Sequence, residues 1–137
     1  MPTAVFVYGT LKRGQCRESR WPLRPLSVCE ATVLGSLFGR DDYPAITEGH
    51  DRVLGELWQF GAAELPLVLN ALDQIEGTNQ ADVDDLYHRV IVEAFDISGN
   101  LLGTAYTYRY ARDPLADGFA LIEPSGENAY VAWPAGA

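Results

Sequence analysis

The chain has 137 residues, a length that fits one domain, read here as a single unit over residues 1–137. Folding a chain of this size removes roughly two-thirds of the unfolded surface from water, so no disulfide or metal clip is needed to hold a core. With 10 Lys and Arg against 19 Asp and Glu, the net charge is −9. That field argues against binding to nucleic acid or to an anionic membrane, because attraction to phosphate dominates both.

Ala4-Val5-Phe6-Val7-Tyr8 opens the chain as a short apolar run ended by Gly9, the pattern of a strand buried on both faces. Tyr8-Gly9-Thr10-Leu11 follows it directly. Gly9 lets the chain turn sharply and lets a ligand approach the backbone, Thr10 suits a cap, and Lys12 and Arg13 would add positive potential beside the turn. Successive N–H groups at such a turn can hold a carboxylate or an oxyanion; a plain strand-to-loop turn is the other reading. Neither a P-loop nor a dinucleotide fingerprint is present.

Val28 to Phe38 is rich in β-formers and reads as a strand broken near Gly35, and Val53 to Phe60 as another, with Gly55 a bulge or a close backbone approach. Tyr87 to Phe95 and Leu101 to Tyr110 alternate on either side of Ser98-Gly99-Asn100, which supplies the residues a tight hairpin needs. A short strand is expected near Tyr130 to Trp133. Thr104, Tyr106, Tyr108 and Tyr110 share one face of their strand, a stripe that suits core packing more than a ligand platform. One helix stands out, from about Glu64 to Glu76, with Pro66 in its first turn and Gly77 just past its end. Many strands around one helix suggest an α+β domain with a strongly curled or barrel-like sheet.

The helix carries a chemical signal. Leu65, Leu69 and Leu72 fall on a stripe about 60° wide, and Glu76 lies about 20° from the Leu65 direction. Asp73 sits on the flank of that stripe and Gln74 points away from it. A carboxylate on the apolar face, in the last turn where the helix dipole disfavours an anion, has its pKa pushed up toward values useful to a general base. The alternative is that Glu76 marks the end of the stripe and bends out to solvent.

Other chemistries have weaker support. Cys16 near Arg13 and Arg17, with His88 as a base, would make a thiol enzyme, but a structural or surface cysteine fits better. His50 and His88 lack ligand spacing with each other or with the cysteines, so no metal site is expected. Asp82, Asp84 and Asp85 lack a calcium-loop pattern and read as a solvated loop. Cys16 and Cys29 are too few for a disulfide framework, no signal peptide is evident, and no apolar run reaches a membrane span's length. A cytoplasmic protein is expected.

The two candidate sites occur together in a known family. Val5-Phe6-Val7-Tyr8-Gly9-Thr10-Leu11-Lys12-Arg13-Gly14 closely resembles the N-terminal motif of the gamma-glutamylcyclotransferase-like proteins. Tyr43-Pro44-Ala45-Ile46, Val53-x-Gly55-Glu56-Leu57, Leu72-Asp73-x-x-Glu76-Gly77, Tyr87-x-Arg89-x-x-Val92 and Ala105-x-x-Tyr108 follow in the family's order. The resemblance implies a small mixed β-barrel with flanking helices and a cavity beside the first loop. It also implies substrate binding by Tyr8, Gly9, Thr10 and Leu11, with Tyr108 near the cavity, and catalysis by Glu76. The implied reaction is ring closure of a small gamma-glutamyl amide to 5-oxoproline and a free amine, with no cofactor or metal. A non-catalytic domain that senses a small carboxylated metabolite is the competing reading, and a purely structural interaction module a third.

Overall fold

The computed structural model of the protein describes residues 2–77, 86–124 and 130–134. Asp82, Asp84, Asp85 and the segment Gly126-Glu127-Asn128 lie outside them. The elements, in chain order, are β1 (Ala4–Val7), β2 (Ser27–Gly39), β3 (Pro44–Gln59), α1 (Leu65–Glu76), β4 (Tyr87–Phe95), β5 (Leu101–Tyr110) and β6 (Ala120–Leu121). A short 3-10 turn, Glu18–Arg20, interrupts the loop after β1.

Strand order β3-β1-β5-β4-β2, with β2 pairing back onto β3, closes the sheet into a five-stranded barrel, and β6 hangs on β2. β1 runs antiparallel to β3, with Ala4 opposite Gln59, and parallel to β5, with Val5 opposite Tyr106. That parallel pairing makes the barrel mixed. The remaining strand pairs are antiparallel.

Side-chain alternation divides the interior into two cores. Ala4 and Phe6 of β1 join Ala31, Val33 and Leu37 of β2, Ile46 and Val53 of β3, Ala94 of β4 and Ala105 of β5. All five strands contribute, so this cluster fills the lumen. Val5 and Val7 face the other way and meet Tyr106, Tyr108 and Tyr110 of β5 and Leu65, Val68, Leu69 and Leu72 of α1. β1 is therefore buried on both faces, as its unbroken apolar run requires.

Gly55 is a close-approach glycine: a Cβ there would sit 2.3 Å from the Val7 carbonyl oxygen and 2.6 Å from the Phe6 ring. β2 does not break at Gly35. The strand continues and the pairing register jumps, from Gly35 opposite Asp51 to Ser36 opposite Thr47, which leaves Glu48, Gly49 and His50 of β3 bulged out. β3 also begins earlier than the residues suggest, at Pro44. Near the C-terminus the expected strand reduces to one bridging residue, Val131, bonded to Arg52 and Leu54.

Candidate active site

The helix α1 starts from Glu64 with Pro66 in its first turn and stops at Gly77, whose left-handed φ of 68° directs its N–H back to the carbonyls of Asp73 and Gln74. Leu65, Val68, Leu69 and Leu72 are buried against β1 and β5, while Gln74 is exposed, as the helical wheel requires. Glu76 is thus the final helical residue, held on the packed face beside the end of β1.

The loop leaving β1 folds tightly back. The Lys12 N–H donates to the Gly9 carbonyl at 3.1 Å and the Arg17 N–H to the Thr10 carbonyl at 2.8 Å. The indole N–H of Trp21, whose ring stacks on Trp58, donates to the Leu11 carbonyl at 2.9 Å. Three successive carbonyls are therefore fixed by the loop itself. The N–H groups of Gly9, Thr10 and Leu11 meet no protein acceptor among the described residues. Gly9 is needed for proximity rather than for a left-handed turn, since a Cβ would fall 2.7 Å from Pro44 Cγ.

The turn and the helix end enclose one pocket of about 180 Å³. It is lined by Tyr8, Gly9, Thr10, Leu11, Glu76 and Tyr108, with Arg17, Tyr43, Pro44, Leu86 and Tyr87 among its other walls. Glu76 keeps part of its surface open to this pocket but is otherwise enclosed by protein. Burial pushes its carboxyl up to about 7, against a smaller downward pull from the Arg17 guanidinium. Tyr8 donates its hydroxyl to the Tyr108 carbonyl at 2.6 Å and accepts the Ile46 N–H. Burial, and then the nearby Glu76, hold the Tyr8 phenol well above its usual range. The Tyr108 hydroxyl is committed to Asp73 Oδ1 at 2.7 Å, and Asp73 Oδ2 receives Arg89 Nη1 at 2.8 Å. Burial and the Asp73 bond raise Tyr108 in the same direction. Burial thus favours the protonated form of both phenols and raises the Glu76 carboxyl toward neutral pH.

Tyr8, Gly9, Thr10, Leu11, Glu76 and Tyr108 thus border the same pocket, though Tyr108 offers it a ring with the hydroxyl already engaged. Lys12 and Arg13 do not. Lys12 Nζ reaches the Trp133 carbonyl at 2.6 Å, and Arg13 pairs with Glu56 at 3.0 Å. Among the described lining residues the cation is Arg17, which linear distance from the turn disguised: it arrives only because the loop doubles back onto Thr10. Cys16 and Cys29 are exposed, and neither lines the pocket. His50 borders a separate shallow surface depression with Glu48 and Arg109. No cluster of three metal-ligating side chains exists among the described residues. Among them too, no helix is long and apolar enough to cross a membrane.

A closed mixed barrel, with a helix-borne carboxylate facing a backbone turn at the end of its first strand, defines a small catalytic or binding domain. The chain belongs to the family described as gamma-glutamyl cyclotransferase, AIG2-like, whose profile matches residues 5–128. Membership supports cyclotransferase chemistry at the level of the family. Among solved structures, an AIG2-like protein from Mus musculus is 21% identical, with a TM-score of 0.62 over 98% of this chain and 97% of that one. YkqA from Bacillus subtilis is 22% identical, with a TM-score of 0.61; the match covers 89% of this chain but 38% of that one, so this chain spans well under half of YkqA. The protein ytfP from Escherichia coli is 27% identical, with a TM-score of 0.51 over 88% and 91% of the two chains. No curated protein matches the sequence.

Proposed function

We propose that this chain converts a small gamma-glutamyl amide into 5-oxoproline and a free amine, with Glu76 moving the proton. The observation that carries this reading is the pairing of a carboxyl raised to about 7 with a turn whose N–H groups lack protein acceptors, in one pocket. The substrate's α-amine must lose a proton before it can attack its own γ-carbonyl carbon. Ionised Glu76 accepts that proton as the new C–N bond forms. The negative charge that develops on the γ-carbonyl oxygen calls for fixed donors, and the Gly9, Thr10 and Leu11 amides supply them without reorganisation. When the intermediate collapses, the γ-amide C–N bond breaks and Glu76 returns its proton to the leaving amine. Atoms and charge balance without a cofactor. The apolar walls, Leu11, Pro44 and Leu86, favour a folded glutamyl chain, and prior folding removes much of the entropic cost of ring closure.

A pocket built only to sense a carboxylate would gain nothing from Glu76, whose charge repels the ligand. Two exposed free cysteines fit a reducing compartment such as the cytoplasm. The test is 5-oxoproline release from a panel of gamma-glutamyl amides, comparing the wild type with Glu76→Gln. The glutamine variant should keep its circular dichroism spectrum and lose about 10²–10⁴-fold in kcat. An active, folded Gln variant overturns the mechanism; binding without turnover by the wild type across the panel points to the sensor.

A further inference from the structure

Among the described residues lining the pocket, Arg17 is the one basic side chain. Its place is set by main chain rather than by chance, because its N–H is bonded to the Thr10 carbonyl at the head of the Glu18–Arg20 turn. Arg17 is partly buried, and its guanidinium forms neither a hydrogen bond nor an ion pair with a protein group among the described residues, whereas Arg13, Arg40 and Arg89 each have a carboxylate within 3.0 Å. Arg17 and Glu76 line the same pocket and act on each other electrostatically, yet they are too far apart for an ion pair. Opposite charges are thus held at two points of one cavity with a gap between them.

We infer that Arg17 receives the substrate's α-carboxylate. This rests on the proposed function and narrows it. The α-amine and α-carboxylate of a gamma-glutamyl compound share one carbon, so an amine delivered to Glu76 brings its carboxylate to the same end of the pocket. There it would be repelled by Glu76 unless a cation received it, and Arg17 is that cation. A guanidinium also presents the two parallel donors that a carboxylate accepts. With the carboxylate on Arg17, the Gly9, Thr10 and Leu11 amides are left for the γ-carbonyl oxygen. The assignment selects a substrate class. Free gamma-glutamyl amides are accepted, and compounds whose α-carboxyl is already an amide are rejected. An amino-terminal glutamine of a peptide falls in the second group, although its α-amine and γ-amide would undergo the same ring closure.

The experiment uses two probes with the same γ-leaving group, a gamma-glutamyl methylamide with a free α-carboxylate and its α-carboxamide counterpart. Wild-type kcat/KM should be about a hundredfold lower for the carboxamide, the loss expected when a charged hydrogen-bond partner is removed. Arg17→Gln should lose a similar factor on the carboxylate probe, mainly through KM, and change little on the carboxamide, so that discrimination collapses. Arg17→Lys should restore part of it. An Arg17→Gln enzyme that still discriminates, or whose KM for the carboxylate probe is unchanged, overturns the inference and leaves the cyclotransferase reading standing. A wild type that turns over neither this probe nor any other gamma-glutamyl amide overturns both.

Discussion

Glu76 is held where a carboxylate is uncomfortable, at the last turn of α1, between packed side chains and the carbonyl end of the helix dipole. Its folded pKa of about 7 lies above the ordinary 4.5, so the folded protein holds this proton over a range in which the unfolded chain has released it. The stabilising effect of that proton is complete below about pH 4.5 and disappears as pH rises through about 7. At pH 8 the ionised carboxylate therefore costs stability, about 2–3 kcal/mol after allowing for its open side. Glu76→Gln should melt higher than the wild type at pH 8, and the gap should close toward pH 4, as followed by thermal denaturation across that range. Activity should run the other way: wild-type kcat/KM should rise with pH, with an apparent pKa near 7, as the base form accumulates. The helical wheel placed this residue because three leucines, Leu65, Leu69 and Leu72, define a face without any tertiary knowledge. Arg17 was not legible in that way, since nothing local says that the loop returns to Thr10. Lys12 and Arg13 follow the turn directly but do not line the pocket, and their partners, Trp133 and Glu56, are remote in sequence.

At the level of elements, the helix is tied to the β4–β5 hairpin through Asp73, which takes Tyr108 on one oxygen and Arg89 on the other. Tyr108→Phe should lower stability by about 1–2 kcal/mol while preserving most turnover, because the hydroxyl serves the helix and not the pocket. A double-mutant cycle with Asp73→Asn, read by urea denaturation, should return a coupling of similar size. Gly55→Ala should be far more damaging. Its new methyl would press on the Val7 carbonyl between two paired strands, and a loss above about 2 kcal/mol is expected in the same assay. The hairpin, the helix and the Gly55 approach were readable because each rests on local periodicity or on one diagnostic residue. The long β3 was not, since Glu48, Gly49 and His50 look like a loop and are carried inside a strand only by the register jump opposite Gly35 and Ser36. A barrel-like sheet was expected from many strands around one helix, but the parallel pairing of β1 with β5 was beyond local pattern, because the two strands lie about a hundred residues apart.

For the molecule as a whole, a net charge of −9 surrounds a pocket with one basic lining residue among those described. A gamma-glutamyl amide with a neutral leaving group carries balanced α-charges, whereas one whose leaving group is an amino acid carries an extra negative charge. Raising ionic strength should therefore increase kcat/KM for the anionic substrate by screening the repulsive field and leave the balanced one nearly unchanged, as steady-state assays at 10 and 150 mM salt would reveal. The pairing of β1 with both β3 and β5 has a temporal consequence as well. The turn that follows β1 is synthesised well before β5, so its strand gains its parallel partner only after Tyr106 has emerged, about a hundred residues later. During synthesis, Gly9, Thr10 and Leu11 have their own loop contacts but lack the β5 wall until Tyr106 and Tyr108 are made. The pocket is therefore among the last features to mature, and on the proposed function the onset of 5-oxoproline release should report that the barrel has closed.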